Sequence, residues 1–578
     1  MEARESLTSW WRSLAHAPEA ATSRQRMAVA IATVLTAITR WLALARTPWD
    51  WDEILFQLAM QHYDVAQHRP HPPGFPLFIL AADAIRAATG CSEFHALQAI
   101  NLAAAIAVVP AAYVFCRELR MRADASLIAA LLLAFAPNVW FFGGGAFSDV
   151  PSMTLVMIAI ALLLRGCRSD RSLLAGAVLT GVAAGVRPQN LLIAFAPFAI
   201  AASHPWRRGT WRIVVIAALV LAMIVAISFG GAAAVTGFGA YRAALSSHQH
   251  YITSVDSFRS PSRPPLWRVA DDFFFWPYRA LPINIALTLL AAIALVRRRP
   301  PVIAALAAFA PFCLFAWLIL DFHSASRFSI GYAPLIAVLA ADGLSAFRDA
   351  RLRYGAAAAL VALMFAWMFA PLRAVHDTAS PPLAAIDWIR THVDSRRAVT
   401  IVDAELVPYA ALYLDDYATI FVAGRGGTTW GDAYRRGVLL YEGAGANDGG
   451  VVFHRDRTHL ATVARDRYFD VAVTPLRENV DFRDGWTPSR TMSGHARIAL
   501  PPLPHATLEI AFDVEPGAAP STIVLTLNGA VLETLPATAR NVTRRYVVTP
   551  RTDVENELAI DSGGATLRLR SLSWLPQL

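Results

Sequence analysis

Three acids stand just past the first hydrophobic stretch of this chain, in Trp49-Asp50-Trp51-Asp52-Glu53, and Pro72-Pro73-Gly74-Phe75-Pro76 begins nineteen residues after Glu53. Carboxylates at the edge of a bilayer are costly and are functional candidates by default. A carboxylate here can accept a proton from a hydroxyl or pair with a cation. Asp52 can equally cap a helix over Ile54–Gln67, a position that suits aspartate. Asp50 takes over either role if the register is displaced by two. Glu53 reads as a partner for an arginine fork or a helix end, or as a first-turn acid favoured by the helix dipole. A further acid, Asp149, lies in Phe147-Ser148-Asp149-Val150-Pro151. It can orient a substrate, hold a cation with Asp52, or cap a helix with Pro151 in the first turn.

The candidate cationic partners are all arginines, because the 51 basic residues include no lysine. Any phosphate is therefore bound by the planar, bidentate guanidinium fork. Arg187 and Arg327 stand apart from the clustered arginines, with Arg259, His323 and His71 as additional candidates. Arg327 also reads as a snorkelling residue at the interface, and His71 as a loop end before two prolines.

The elements that must position these residues are apolar. The chain has 578 residues, 56% hydrophobic and 16% charged. That composition indicates a polytopic membrane protein with room for a soluble domain. The polar, basic first thirty residues carry no small-residue cleavage site, so the first apolar stretch is expected to remain as a span. Hydrophobic runs predict about eleven spans, at 27–46, 94–116, 125–143, 150–166, 173–186, 189–203, 211–237, 278–296, 301–320, 329–346 and 355–371. The segment 73–90 carries Asp83 and Arg86 one turn apart and reads as an interfacial helix.

Charge supports that choice. Clusters such as Arg117/Arg120/Arg122, Arg165/Arg168/Arg171 and Arg297/Arg298/Arg299 then fall on one side, as the positive-inside rule requires. The N-terminus (1–26) is expected to be cytoplasmic, and the loops 47–93 and 238–277 to lie outside. The basic balance belongs to the membrane half: 30 arginines and 19 acids up to residue 371, against 21 and 24 beyond it. A basic membrane half gives no reason to invoke nucleic acid. The loop 238–277 also carries His248 and the run Phe273-Phe274-Phe275-Trp276, which suits an interfacial belt or a lid. Four scattered cysteines form neither a zinc pattern nor a disulfide framework.

Beyond 371 the pattern changes. Residues 372–483 alternate predicted strands (398–403, 419–423, 451–454, 469–474) with helices (386–392, 406–414, 458–467), an α/β domain. No G-x-G-x-x-G follows a strand, so nucleotide binding has no support. Residues 484–578 read as a β-sandwich with a hairpin at Asn528-Gly529. It suits glycan binding and a bracing role equally well.

Asp52-Glu53 after the first span, followed by His71-Pro72-Pro73-Gly74 opening an interfacial helix, resembles the C-type (GT-C fold) polyprenyl-phosphate-sugar glycosyltransferases. Within them the closest resemblance is to the protein O-mannosyltransferase and lipid A aminoarabinose transferase group. Asp149 at the outer end of the third span, Gly181 and Gly185 before Arg187, and Ser326-Arg327-Phe328 ahead of Tyr332, Pro334 and Ala341-Asp342-Gly343 continue the resemblance across residues 27–371. It implies a membrane glycosyltransferase of the bacterial inner membrane with its tail in the periplasm. The donor it implies is a polyprenyl-phosphate sugar, and the acceptor a hydroxyl of a glycan, glycolipid or protein, with inversion at the anomeric carbon. Under it Asp52 is the base, Glu53 and Asp149 are its acidic companions, and Arg187, Arg327, His71, Arg259 and His323 bind donor phosphate or substrate. No cofactor and no metal site is expected, although a divalent cation fits the family. A transporter or flippase of lipid-linked sugars, or a non-catalytic envelope assembly subunit, are the competing readings.

Overall fold

The computed structural model describes residues 2–576 apart from 394, 396–397, 423–435, 445–449, 476–479, 488, 501–504, 516–521, 539 and 553. The predicted strands over 419–423 and 521–527 each have one terminal residue, Ala423 and Ser521, outside the described set. The chain divides into two compact units, Met1–Ser380 with Asp456–Arg467, and Pro381–Arg455 with Tyr468–Leu578.

The first unit is helical. Its helices run α1 Glu2–Ser13, α2 Ser23–Leu42, α3 Trp51–Gln61, α4 Pro76–Thr89, α5 Glu93–Glu118, α6 Ala123–Ala134, α7 Pro137–Phe142, α8 Asp149–Gly166 and α9 Asp170–Val186. They continue with α10 Asn190–Arg207, α11 Trp211–Thr236, α12 Phe238–Tyr251, α13 Leu266–Ala270, α14 Leu281–Arg297, α15 Pro300–Ile319, α16 Ala325–Phe328, α17 Ala333–Leu344 and α18 Ala350–Asp377. A helix lies within each predicted hydrophobic run. Six helical segments among the described residues are long and apolar enough to cross a membrane, α11 the most apolar at a mean hydropathy of 3.0.

Two runs depart from expectation. The run 125–143 breaks into α6 and α7, because Ala136 before Pro137 takes an extended ψ of 130°, as a residue preceding proline prefers. The run 355–371 continues in helix through Pro371 to Asp377.

Ion pairs mark the two ends of this bundle. Arg165 and Arg168 pair with Glu118 at 3.1 and 2.8 Å, and Arg353 pairs with Asp124 at 2.9 Å. These tie the end of α8 to the end of α5, and the start of α18 to the start of α6. At the other end Gln98 of α5 donates to the carbonyls of Ala45 and Gly144 at 2.8 and 2.9 Å. The acids singled out in the sequence gather at this second end.

Close helix contacts need glycine. A Cβ on Gly343 of α17 would lie 2.2 Å from the Leu290 carbonyl oxygen of α14, and one on Gly185 of α9 would lie 2.5 Å from Leu77 Cδ1 of α4.

In the second unit, β1 Ala398–Asp403, β2 Ala418–Val422, β3 Arg436–Glu442, β4 Val451–His454 and β5 Asp470–Pro475 form a sheet of order β2-β1-β3-β5-β4. Strands β1, β2 and β3 are parallel and β4 and β5 antiparallel. Strand β3 is not in the sequence prediction. The helix expected over 458–467 is a single 3-10 turn at Leu460–Thr462, in the stretch that belongs to the first unit. There His459 stacks on Trp367 of α18 at 3.9 Å, and the Trp367 indole N–H donates to Thr462, so tertiary contact overrides local propensity.

The remaining strands, β6 Asp481–Phe482, β7 Thr491–Leu500, β8 Ala506–Glu515, β9 Thr522–Leu527, β10 Ala530–Pro536, β11 Asn541–Val548 and β12 Asn556–Pro576, form one hydrogen-bonded seven-stranded sheet. The predicted strands 556–560 and 565–572 are one strand, β12. Its register shifts between Asp561 and Thr566, where its pairing passes from β9 to β8. The sheet encloses one core that includes Ile498, Phe512, Leu525, Val542 and Trp574. Asn528 and Gly529 both have positive φ, 52° and 84°, as the tight β9–β10 hairpin demands.

Candidate active site

The site begins with α3. Asp50, not Asp52, is the N-cap: its side chain accepts from the Asp52 N–H at 3.2 Å, and Glu53 closes a reciprocal capping box. The cap that the sequence offered to Asp52 is therefore filled by its neighbour, and Asp52 is left to other partners. Glu53 is fully buried and accepts from the backbone N–H groups of Trp49, Asp50 and Ala146 at 2.6, 2.9 and 2.6 Å. It holds loop to helix and meets no arginine among the described residues. Burial pushes its pKa up to about 7, against the pull of those three donors.

The loop that Glu53 grips is Gly143-Gly144-Gly145-Ala146. Asn101 donates to the carbonyls of Phe142 and Gly145 at 2.6 and 2.7 Å. A Cβ on Gly145 would fall 2.5 Å from Glu53 Oε1, so glycine permits the approach. This clamp delivers Asp149 to the start of α8. Asp149 makes no cap hydrogen bond there, because the N-cap position is Ser148, so the capping alternative falls away.

Arg327 is the hub. Its Nη1 lies 2.5 Å from Asp52 Oδ2 and 3.7 Å from Asp50 Oδ1, and its Nε donates to Asp149 Oδ2 at 3.1 Å. The guanidinium stands over the rings of Phe147 and Phe142, at 5.1 and 5.9 Å. Asn138 of α7 fixes the turn that carries it, donating to Ser326 O at 2.8 Å and Ser329 Oγ at 2.9 Å. The side chain is 10% exposed, and its Nη2 is buried without a hydrogen-bond partner. Such a donor is costly to leave unpaired and is ready for a ligand. The snorkelling alternative does not fit a buried, triply paired guanidinium.

Arg187 sits in the turn between α9 and α10. It donates from Nη2 to Asp149 Oδ2 and from Nε to Ser148 Oγ, both at 2.9 Å. Asn190 steadies the turn through the Ala183 carbonyl at 2.7 Å.

His71 reaches the same place from the Pro-Pro-Gly turn, its Nδ1 3.5 Å from Asp52 Oδ1. Gly74 (φ 107°) makes that turn, and a Cβ there would lie 2.4 Å from the Tyr63 hydroxyl. Burial pushes the His71 imidazole down to about 4, against the attraction of Asp52, so the ring is neutral at neutral pH. For Asp52, burial acts to raise the pKa, but Arg327 foremost, with His71 and Arg187, holds it well below the usual carboxylate range. Asp52 is 19% exposed and Asp149 only 3%, so an incoming hydroxyl can reach the first and not the second.

The sequence missed His248 of α12, whose ring centroid lies 6.3 Å from that of His71. Tyr241 of the same helix donates to the Pro73 carbonyl at 2.9 Å, which holds α12 over the turn. The signal was present in the His-rich stretch 248–250, but nothing local tied it to residue 71. Two expected members stand elsewhere. Arg259 is exposed over Phe258, and His323 is exposed against Phe322; neither contacts the carboxylates among the described residues. Asp342, part of the last motif, lies at the opposite end of the bundle and pairs with Arg297 and Arg299.

No group of three or more His, Cys, Asp or Glu side chains suited to a metal ion occurs among the described residues. Arg327, paired with both Asp52 and Asp149, stands where a cation bridging the two carboxylates would sit. A cavity of about 20 Å³ lies beside Asp149, Arg187 and Asn190, room for about one water.

The fold, a helical bundle with six described segments apolar enough to cross a membrane followed by a strand-rich domain, is GT-C-like. No protein-family model and no curated protein matches the sequence. Among solved structures, the chain is similar to ArnT from Cupriavidus metallidurans bound to undecaprenyl phosphate. The match has a TM-score of 0.50 and 14% identity, covering 78% of this chain and 98% of that one. The mycobacterial arabinofuranosyltransferase AftD matches over 97% of this chain and 60% of its own, with a TM-score of 0.43 and 12% identity. At these identities the likeness is one of fold.

Proposed function

We propose that this chain is an inverting glycosyltransferase that takes a sugar from a polyprenyl-monophosphate donor and gives it to an acceptor hydroxyl. The observation that carries the reading is Arg327, held between Asp52 and Asp149 with one buried N–H unpaired. Asp52 takes the acceptor proton as the acceptor oxygen forms its bond to the anomeric carbon. The bond from that carbon to the phosphate oxygen breaks with inversion, and polyprenyl monophosphate leaves with the bonding pair. Cationic donors are needed where that charge develops. Arg327 Nη2 and, beside it, Arg187 supply them, while Asp149 orients both.

Three carboxylates (Asp50, Asp52, Asp149) face two guanidiniums here, so the resting site has no spare positive charge. On this reading the donor phosphate competes with Asp52 for Arg327. Its arrival draws the guanidinium away and restores the basicity of Asp52 at the moment a base is required. The segment 238–277 with His248 covers the donor.

The proposed setting is a bacterial inner membrane crossed about eleven times. The arginine-rich end of the bundle is cytoplasmic, and the carboxylate cluster and β-sandwich are periplasmic. The acceptor is a glycan, glycolipid or protein hydroxyl.

The test is Asp52→Asn in the purified full chain with a polyprenyl-phosphate sugar. Loss of product with donor binding retained supports the reading. Undiminished sugar transfer overturns it, and lipid-linked sugar movement without transfer supports a flippase.

A further inference from the structure

The outer surface of the bundle carries a groove between α6 and α18. Its volume is about 480 Å³, and beyond Asp124 and Tyr354 at one end its lining is apolar, with Leu127, Leu131, Val361 and Phe365 typical. On α6 it runs from Asp124 to Phe135, and on α18 from Tyr354 to Phe365. Eleven residue steps at about 1.5 Å give about 17 Å on either helix. That is close to the depth of one leaflet, about half of a ~30 Å hydrocarbon core.

The two ends of the groove differ. Its mouth lies at the arginine-rich end of the bundle, and there Arg353 pairs with Asp124 at 2.9 Å. Arg353 is 8% exposed, and its Nε is buried with no partner. Arg122, whose side chain is 69% exposed, reaches the same Asp124 at 3.2 Å, and Arg348 and Arg351 are exposed nearby. Four arginines thus face two acids, Asp124 and Asp349. Two of the cations lie within one ion-pair distance of the point where the apolar lining stops. An apolar slot one leaflet deep under an unsatisfied, net-positive mouth complements one molecule, an amphiphile with a single anionic head.

We infer that this groove is a binding site for an anionic phospholipid of the leaflet at the arginine-rich end, with one acyl chain between α6 and α18 and its phosphate at Arg353 and Arg122. Bound there, the lipid fills the gap between α6 and the start of α18 and satisfies the free Nε of Arg353. Anionic headgroups are attracted to such juxtamembrane arginines. The site lies at the end of the bundle away from the carboxylate cluster, and it stands whether or not the chain transfers sugar.

The test is native mass spectrometry of the full chain, delipidated in detergent and then given equal amounts of phosphatidylglycerol and phosphatidylethanolamine. One phosphatidylglycerol is expected to be retained per chain. Ala358→Phe fills the groove from an exposed position and is expected to abolish retention. Arg353→Gln, and Arg122→Gln at its exposed site, are expected to lower the preference for phosphatidylglycerol by about fivefold each. Equal retention of the two lipids, or retention unchanged in Ala358→Phe, overturns the inference. So does displacement of the phosphatidylglycerol by polyprenyl phosphate, which assigns the groove to the donor instead. None of these readouts depends on sugar transfer, so failure here is distinguishable from failure of the proposed activity.

Discussion

Replacing Arg327 by glutamine tests the central electrostatic claim. The guanidinium is 2.5 Å from Asp52 Oδ2 and 3.1 Å from Asp149 Oδ2. Opposite unit charges about 4 Å apart attract by about 4 kcal/mol at an effective dielectric constant of about 20. That corresponds to about three pKa units on the carboxylate. Asp52 is held well below the usual carboxylate range chiefly by this arginine, against a burial that acts to raise it.

The sign follows. A depressed pKa keeps Asp52 ionised down to low pH, so the acid limb of the wild-type rate lies below the ordinary carboxylate range. Removing the cation leaves burial to act, and the limb moves up by up to about three units, toward neutrality. The assay is the pH dependence of kcat/KM for the polyprenyl-phosphate sugar from pH 4 to 8, whose acid limb reports Asp52 in the donor-free enzyme, where Arg327 is paired with it. Arg327→Lys keeps a charge but loses the fork, and it moves the limb less. If Arg327→Gln lowers kcat/KM while its acid limb coincides with that of the wild type, Asp52 is not the titrating base and the reasoning fails.

Gly145→Ala pushes a methyl group into Glu53 Oε1 and displaces the loop that carries Asp149; kcat is expected to fall about 10- to 100-fold, measured at saturating donor. Glu53→Gln is expected to destabilise the chain by about 1–3 kcal/mol by weakening one of its buried acceptors. Because burial raises the Glu53 pKa to about 7 from 4.5, its contribution is complete below pH 4.5 and lost as pH rises through about 7. Thermal stability in detergent should therefore fall across that window in the wild type and flatten in the variant. His248→Ala is expected to raise the donor KM about fivefold with little change in kcat, since α12 covers the His71 turn without touching Asp52. A kcat loss without a KM change would place His248 in the chemistry instead.

Hydrophobic runs and turn chemistry are local properties, so the sequence alone determined much of this protein. The helical runs, the helix within 73–90 and the hairpin at Asn528-Gly529 could be read off directly. So could the candidates Asp52, His71, Asp149, Arg187 and Arg327, which converge within ion-pair distances in the structure. Periodicity could not locate strand β3 or dissolve the helix expected at 458–467, because packing set both.

Only the tertiary structure decided how the acids divide their work. By composition Asp50 and Asp52 are both plausible caps. Which one caps depends on the extended backbone at Asp50 (φ −118°, ψ 156°), and Glu53 is buried against Ala146, 93 residues away. The motif near the start of the chain is thus three different groups: Asp50 caps the start of a helix, Glu53 clamps a glycine loop, and Asp52 makes the closest contact with Arg327, at 2.5 Å. A linear sequence records their adjacency. The field Asp52 feels comes from residues 71, 187 and 327, which only folding brings to its side.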